Sequence, residues 1–141
     1  MTKLQNFRHI EIDPSYDKIL NPKRLTVREL LPVGASWEHN GQKYEVVKPW
    51  GVLAVPLNDF RSIAIVEGPF ETGQKNHAYV MNAEGSVRFE IKKPSELSTS
   101  SFSDVYYVSG ELCFFLSGSS GDFRLSINEI DGTIFKINPS R

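Results

Sequence analysis

Residues 105–116 read VYYVSGELCFFL. Two runs of β-branched and aromatic residues, which favour β-strands, flank the pair Ser109-Gly110. Small polar residues and glycine tolerate the positive φ that a narrow hairpin loop requires. The stretch therefore predicts an antiparallel hairpin, and it sets the pattern for the rest of the chain.

Three further turn signals join short runs of the same kind: Asn40-Gly41, the stretch 82–85 and Asp131-Gly132. Residues 51–55 and 62–66 alternate little between apolar and polar, so we expect central strands that are buried on both faces. The sequence predicts a mostly β fold. We expect a single antiparallel meander of roughly eight to ten strands, forming a partial barrel, a sandwich or a propeller-like sheet.

Three glycines that each precede a predicted strand, Gly41, Gly85 and Gly132, are separated by 44 and 47 residues. Propeller blades repeat at about this interval. Ordinary hairpin spacing produces the same interval, and we favour that interpretation.

One helix start stands out near the N-terminus. Asp13 is a good N-cap and Pro14 suits the first helical position, while Asn21-Pro22 would end the helix. We therefore expect one short helix near residues 14–20. Residues 1–24 are expected to lie at the periphery of a single β-rich domain that spans residues 1–141.

Bulk composition limits the class of protein. The formal net charge of −1 argues against a nucleic-acid-binding protein. The chain has no run of about 18 apolar residues, so we expect no membrane partner. The first nine residues lack the apolar core of a signal peptide, and a lone cysteine, Cys113, suits a reducing compartment. A cytoplasmic location is expected.

The sequence contains no recognisable catalytic or metal-binding motif, and we expect no catalytic residues, no metal and no cofactor. The histidines His9, His39 and His77 lack the spacing of metal ligands. An enzyme remains the alternative: a small hydrolase or nuclease-like protein in which Asp59 or Glu67 orients His77 as a general base. A structural adaptor module is the third possibility.

Charge is distributed unevenly. Residues 84–131 carry eight acidic and four basic side chains, a net charge of −4. Such a face would speed association with a basic partner. We expect the partner-binding residues to be Glu84, Glu90, Asp104, Glu111, Asp122 and Asp131. If these positions form only a solvated surface, the interface should lie near Trp50 and Phe60.

The pattern of strands and turns in residues 78–89 (AYVMNAEGSVRF) and 105–112 (VYYVSGEL) resembles that of immunity proteins encoded beside bacterial polymorphic toxins, including those of contact-dependent growth inhibition systems. The likeness covers residues 50–141. It implies a non-enzymatic protein that binds and neutralises a cognate toxin domain, and we expect that toxin to be a nuclease with a basic cleft. It carries over no individual functional residue and leaves the oligomeric state open.

Overall fold

The computed structural model describes residues 2–71 and 74–140. These residues form eleven β-strands and two short 3-10 helices, Arg28–Leu30 and Ser95–Leu97. The strands are β1 (Gln5–Ile10), β2 (Gly34–His39), β3 (Gln42–Val47), β4 (Val52–Pro56), β5 (Ser62–Glu67), β6 (His77–Asn82), β7 (Val87–Glu90), β8 (Ser101–Val108), β9 (Glu111–Gly118), β10 (Gly121–Ile127) and β11 (Ile134–Pro139). The predicted mostly β fold is confirmed.

The strands form three antiparallel sheets, each a meander of consecutive strands. Sheet A contains β1 to β3, sheet B contains β4 to β7, and sheet C contains β8 to β11. The sheets share hydrophobic cores and stack on one another, and the strands of the described residues form no closed barrel.

Sheet B is the middle layer. Ile63 and Ile65 of β5 belong to the hydrophobic core shared with sheet A, whereas Ala64 and Val66 belong to the core shared with sheet C. Because successive side chains of a strand point to opposite faces, a strand buried on both faces shows no alternation in sequence. The prediction for residues 62–66 is therefore confirmed, whereas residues 51–55 lead into β4, which is an edge strand of sheet B and not a central one.

The predicted turns adopt the backbone geometry that their residues favour. Asn40 and Gly41 have φ of 52° and 78°, and Ser109 and Gly110 have φ of 49° and 81°. Gly41, Gly85 and Gly132 each lie in the connection before the last strand of a sheet. The interval between these glycines therefore corresponds to the distance along the chain from the last turn of one sheet to the last turn of the next.

The predicted helix at residues 14–20 is wrong, because this segment forms successive turns. Asp13 Oδ1 accepts a hydrogen bond from the Ser15 backbone N–H, and Asp17 Oδ1 accepts from the N–H groups of Ile19 and Leu20. The Asp13 and Asp17 carboxylates accept hydrogen bonds from backbone N–H groups near the start of each turn. Such local bonds compete with helix formation and favour separate turns. Asp13 does accept a backbone N–H, as its residue type predicts. Asp17, four positions later, does the same for a second turn, so no continuous helix forms.

Strand β1, at the edge of sheet A, is attached to sheet B through His9. The Nε2 atom of His9 accepts a hydrogen bond from the Ala54 backbone N–H at 3.3 Å. Burial lowers the pKa of His9; nearby Glu11 opposes this shift, whereas Lys18 adds to it. The folded state therefore favours the neutral imidazole.

The burial of His9 predicts a pH-dependent stability. A lowered folded pKa makes His9 stabilising above its unfolded pKa of about 6.5, and that contribution is lost as pH falls through the folded value. Between pH of about 7.5 and about 5.5 we expect the urea-unfolding free energy to decrease more in the wild type than in His9→Gln. An identical pH dependence in both proteins would exclude His9 as the source.

Candidate partner-binding surface

The six carboxylates predicted to bind a partner fall into three places. Asp104, Glu111 and Asp122 lie on sheet C, on the face turned away from sheet B. Glu90 and Asp131 share a groove between sheets B and C, and Glu84 occupies the turn between β6 and β7. The structure therefore brings together three of the six residues on one sheet face and two more in one groove.

The outer face of sheet C is defined by the side chains that alternate with its core residues. Leu112, Phe114 and Leu116 of β9 point into the core with sheet B. The intervening residues of β9 and their ladder neighbours on β8, β10 and β11 therefore face outward. We call this surface the outer C face; it carries Asp104, Tyr106, Glu111, Cys113, Phe115, Ser117, Asp122, Arg124, Ser126 and Lys136.

Glu111 is already engaged within the protein. Its carboxylate accepts hydrogen bonds from Lys136 Nζ at 3.1 Å and from Ser126 Oγ at 3.1 Å. The bond from Lys136 lowers the pKa of Glu111, so the group stays ionised. Cys113 lies buried beside Ser126, as expected for a structural cysteine. This part of the outer C face is an internal network with limited capacity for a new cation.

Asp122 and Asp104 differ in their surroundings. Asp122 is exposed at the start of β10 and accepts a hydrogen bond from Ser117 Oγ at 2.9 Å. Asp104 is half-buried, and its Oδ1 accepts from the Val105 backbone N–H at 2.8 Å. Burial raises the pKa of Asp104, with the Val105 bond opposing the shift. No ion pair within residues 2–71 and 74–140 involves Asp104.

Glu90 and Asp131 line an open groove of about 540 Å³ together with Phe89, Lys92 and Ile134. Glu90 is exposed on β7, the edge strand of sheet B. Asp131 accepts hydrogen bonds from the N–H and hydroxyl of Thr133, and the N–H bond lowers the pKa of Asp131. The groove therefore contains the carboxylate of Glu90, on an edge strand, and the carboxylate of Asp131, in a turn whose hydrogen bonds favour its ionised form.

Glu84 stands apart from the other five carboxylates. Its side chain accepts a hydrogen bond from Ser86 Oγ, which lowers the pKa of Glu84. It lies near His39 of sheet A, on the far side of the middle layer from the outer C face. Glu84 therefore belongs to a different surface from Asp104 and Asp122.

The alternative catalytic group is only partly assembled. Glu67 and His77 are opposite one another in the β5–β6 ladder. The Glu67 carboxylate, however, accepts a hydrogen bond from Tyr79 OH at 2.6 Å. Asp59 lies in the β4–β5 turn, at the other end of β5, and accepts from the Arg61 N–H. A β-strand rises about 3.3 Å per residue, so Asp59 and His77 are too far apart to form the predicted pair.

Trp50 and Phe60, the other predicted interface residues, are both exposed, at 70% and 46%. They lie at opposite ends of β4, so they do not form one patch.

Sequence reasoning missed the segment 11–33 between β1 and β2, which exposes several large aliphatic side chains: Ile12, Ile19, Leu20 and Val27. Long connections of this kind are often functional. The length of the segment between two paired strands was the feature of the sequence that could have indicated it.

Residues 2–71 and 74–140 contain no group of three or more histidine, cysteine or carboxylate side chains placed to hold a metal ion. Across the same ranges, no helix is both long and apolar enough to span a membrane.

By its architecture, the chain is an all-β domain of three stacked antiparallel sheets. Comparison with protein-family models gives no match, and comparison with curated proteins gives none either. Among solved structures, the chain is similar to one in the structure of Tne2 in complex with Tni2. The TM-score is 0.74 at 22% identity, and the match covers 98% of this chain and 99% of that chain. The two chains share a fold over nearly their whole lengths.

Proposed function

We propose that this protein is an immunity protein that binds a cognate bacterial toxin domain and neutralises it in the cytoplasm. The chain that shares its fold comes from a complex of two proteins, Tne2 and Tni2. The resemblance of residues 78–89 and 105–112 to immunity proteins points in the same direction. Both observations support a function based on binding another protein.

The observation that carries the proposal is a set of carboxylates on sheets B and C that form no ion pair among the described residues. Asp104 and Asp122 lie near one end of the outer C face, and Glu90 and Asp131 line a groove at the opposite end of sheet C. Exposed carboxylates of this kind suit a basic partner, such as a nuclease domain with a cationic substrate cleft. Occupying that cleft would exclude its phosphate-bearing substrate.

The exposed carboxylates and the half-buried carboxylate of Asp104 should contribute differently to binding. Charges at the rim of an interface mainly set the association rate and its salt dependence, whereas desolvated pairs set the dissociation rate. Glu90 and Asp122 are exposed and fit the first role. Asp104 is half-buried and fits the second.

The direct test uses the toxin domain encoded beside this protein. We expect the two purified proteins to form a complex, the toxin activity to be lost on mixing, and co-expression to protect cells from the toxin. A toxin domain that neither binds nor loses activity would refute the proposed function.

Charge reversal at the exposed carboxylates tests the proposed surface. Glu90→Lys combined with Asp122→Lys should slow association with the toxin domain by about tenfold or more at low ionic strength, because steering depends on opposite charge. The effect should shrink as salt is raised. Stopped-flow association rates at low and high salt provide the measurement.

The matched control is Glu45→Lys, which makes the same charge change at an exposed position of β3 in sheet A. It should alter the association rate far less than either Glu90→Lys or Asp122→Lys alone. If all three single variants slow association equally, the rate reports net charge and the acidic surface is not the interface.

A further inference from the structure

We propose that Asp104, Tyr106 and Phe115 form a receptor for one arginine side chain of the partner protein. The inference rests on the proposed function and deepens it, because it names the group that the outer C face recognises. It is carried by a half-buried carboxylate and by a partly exposed tyrosine ring, stacked on a buried phenylalanine, at neighbouring positions of the outer C face.

The three side chains are neighbours in the β8–β9 ladder. Asp104 is opposite Phe115, and Tyr106 is opposite Cys113, two positions away on the same strands. The Tyr106 ring stacks on Phe115, with ring centroids 4.3 Å apart and an interplanar angle of 22°. Phe115 is almost fully buried, whereas Tyr106 remains 46% exposed. The Tyr106 ring is therefore accessible to solvent at a position next to Asp104 in the ladder.

A β-bulge places Asp104 on this face. The pairing register of β8 shifts between Phe102 and Asp104, since Phe102 pairs with Leu116 and Asp104 with Phe115. In a regular strand, residues 102 and 104 would point to the same side of the sheet. Here Phe102 is buried in the core with sheet B, while Asp104 joins Tyr106 on the outer C face. Bulges often re-aim a side chain at a functional position.

Asp104 lacks a cation within the part of the chain that the structure describes. One carboxylate oxygen accepts the Val105 N–H. Arg124 is opposite Phe115 on β10, so β9 separates its strand from that of Asp104, and no ion pair among the described residues joins the two. The second oxygen of Asp104 is therefore available to a donor from outside, and burial strengthens the resulting interaction.

Arginine fits this arrangement better than lysine. Its planar guanidinium stacks on an aromatic face and donates hydrogen bonds to a carboxylate in a fixed geometry. Tyr106 supplies the aromatic face and Asp104 the acceptor, so one guanidinium can satisfy both. A lysine ammonium is a compact charge and would use only the carboxylate.

We expect Asp104 to lower the stability of the isolated protein while strengthening its binding to the partner. Asp104→Asn keeps an acceptor for the Val105 N–H and removes a partly desolvated charge, so it should raise the urea midpoint of the isolated protein at neutral pH. The same change should weaken binding of the toxin domain by about 10- to 100-fold. A purely structural aspartate would give loss of stability, or no change, with unaltered binding.

The receptor can be probed without the toxin. N-acetyl-arginine amide, titrated into ¹⁵N-labelled protein, should shift the backbone amide signals around Asp104, Tyr106 and Phe115. N-acetyl-citrulline amide, a neutral compound of nearly the same shape, should shift them much less, and Asp104→Asn should abolish the difference. Equal shifts with both compounds, or none with arginine, would overturn the proposal.

The toxin-binding experiment separates this inference from the proposed function. Glu45→Gln, which removes one carboxylate charge at an exposed position of sheet A outside the proposed surface, should leave the equilibrium affinity nearly unchanged. If the wild type binds the toxin domain and Asp104→Asn binds equally well, the arginine receptor is wrong while the immunity function stands. If the wild type does not bind, the function itself fails.

Discussion

Replacing Trp37 by alanine should lower the free energy of unfolding by about 3–5 kcal/mol, the loss typical of a large buried aromatic side chain. Trp37 is 1% exposed at the centre of the core between sheets A and B. Its Nε1–H donates a hydrogen bond to the Ala83 carbonyl oxygen at 2.8 Å, and its ring stacks with Tyr44. The substitution therefore opens a cavity and leaves a buried carbonyl without its donor. Urea unfolding followed by fluorescence or circular dichroism gives the value.

The second tryptophan provides the control. Trp50 is 70% exposed, so Trp50→Ala should change the unfolding free energy far less than Trp37→Ala. Trp37→Phe, which keeps most of the apolar volume but removes the donor to Ala83, should fall between the two. Similar losses for Trp37→Ala and Trp50→Ala would contradict the burial on which the prediction depends.

Asn76→Ala should cost about 2–4 kcal/mol, although the position precedes β6 and belongs to no strand. Asn76 is 6% exposed. Its Nδ2 donates to the Phe102 carbonyl at 2.7 Å, and its Oδ1 accepts from the Phe102 N–H at 2.9 Å. The side chain thus satisfies both polar groups of one buried backbone residue beside the bulge of β8. Alanine would leave both groups unsatisfied in the core.

Asn58→Ala is the matched control, because Asn58 is exposed and, among the described residues, the backbone N–H of Asn58 and not its side chain is hydrogen-bonded, to Tyr107 OH. It should stay within about 0.5 kcal/mol of the wild type. Since Asn76 supports Phe102, its loss should also loosen the start of β8. Hydrogen exchange of the Phe102 amide should then speed up well beyond what the global loss of stability explains. Unchanged protection at Phe102 would argue against this role.

Local sequence determined the geometry of several hairpin turns, although eleven strands form where roughly eight to ten were expected. Asn40-Gly41 and Ser109-Gly110 adopt positive φ because these residue types tolerate it, and the absence of alternation in residues 62–66 correctly indicated a strand buried on both faces. These features are short-range, so a single sequence carries them. The same reasoning predicted a helix after Asp13, which failed because Asp17 starts a second turn within the same segment.

The grouping of the acidic residues was decided by the tertiary structure. Glu84, Glu90 and Asp104 lie within one acidic stretch of sequence, yet Glu84 and Glu90 belong to sheet B and Asp104 to sheet C, because sheet B ends and sheet C begins between residues 90 and 101. The side to which Asp104 points depends on a one-residue bulge, and a shift by one residue moves a side chain to the opposite face of a sheet. Strict alternation in sequence would have assigned Asp104 to the face of Phe102. Only the pairing of β8 with β9 places it beside Tyr106, because the register of a bulged strand is set by long-range packing.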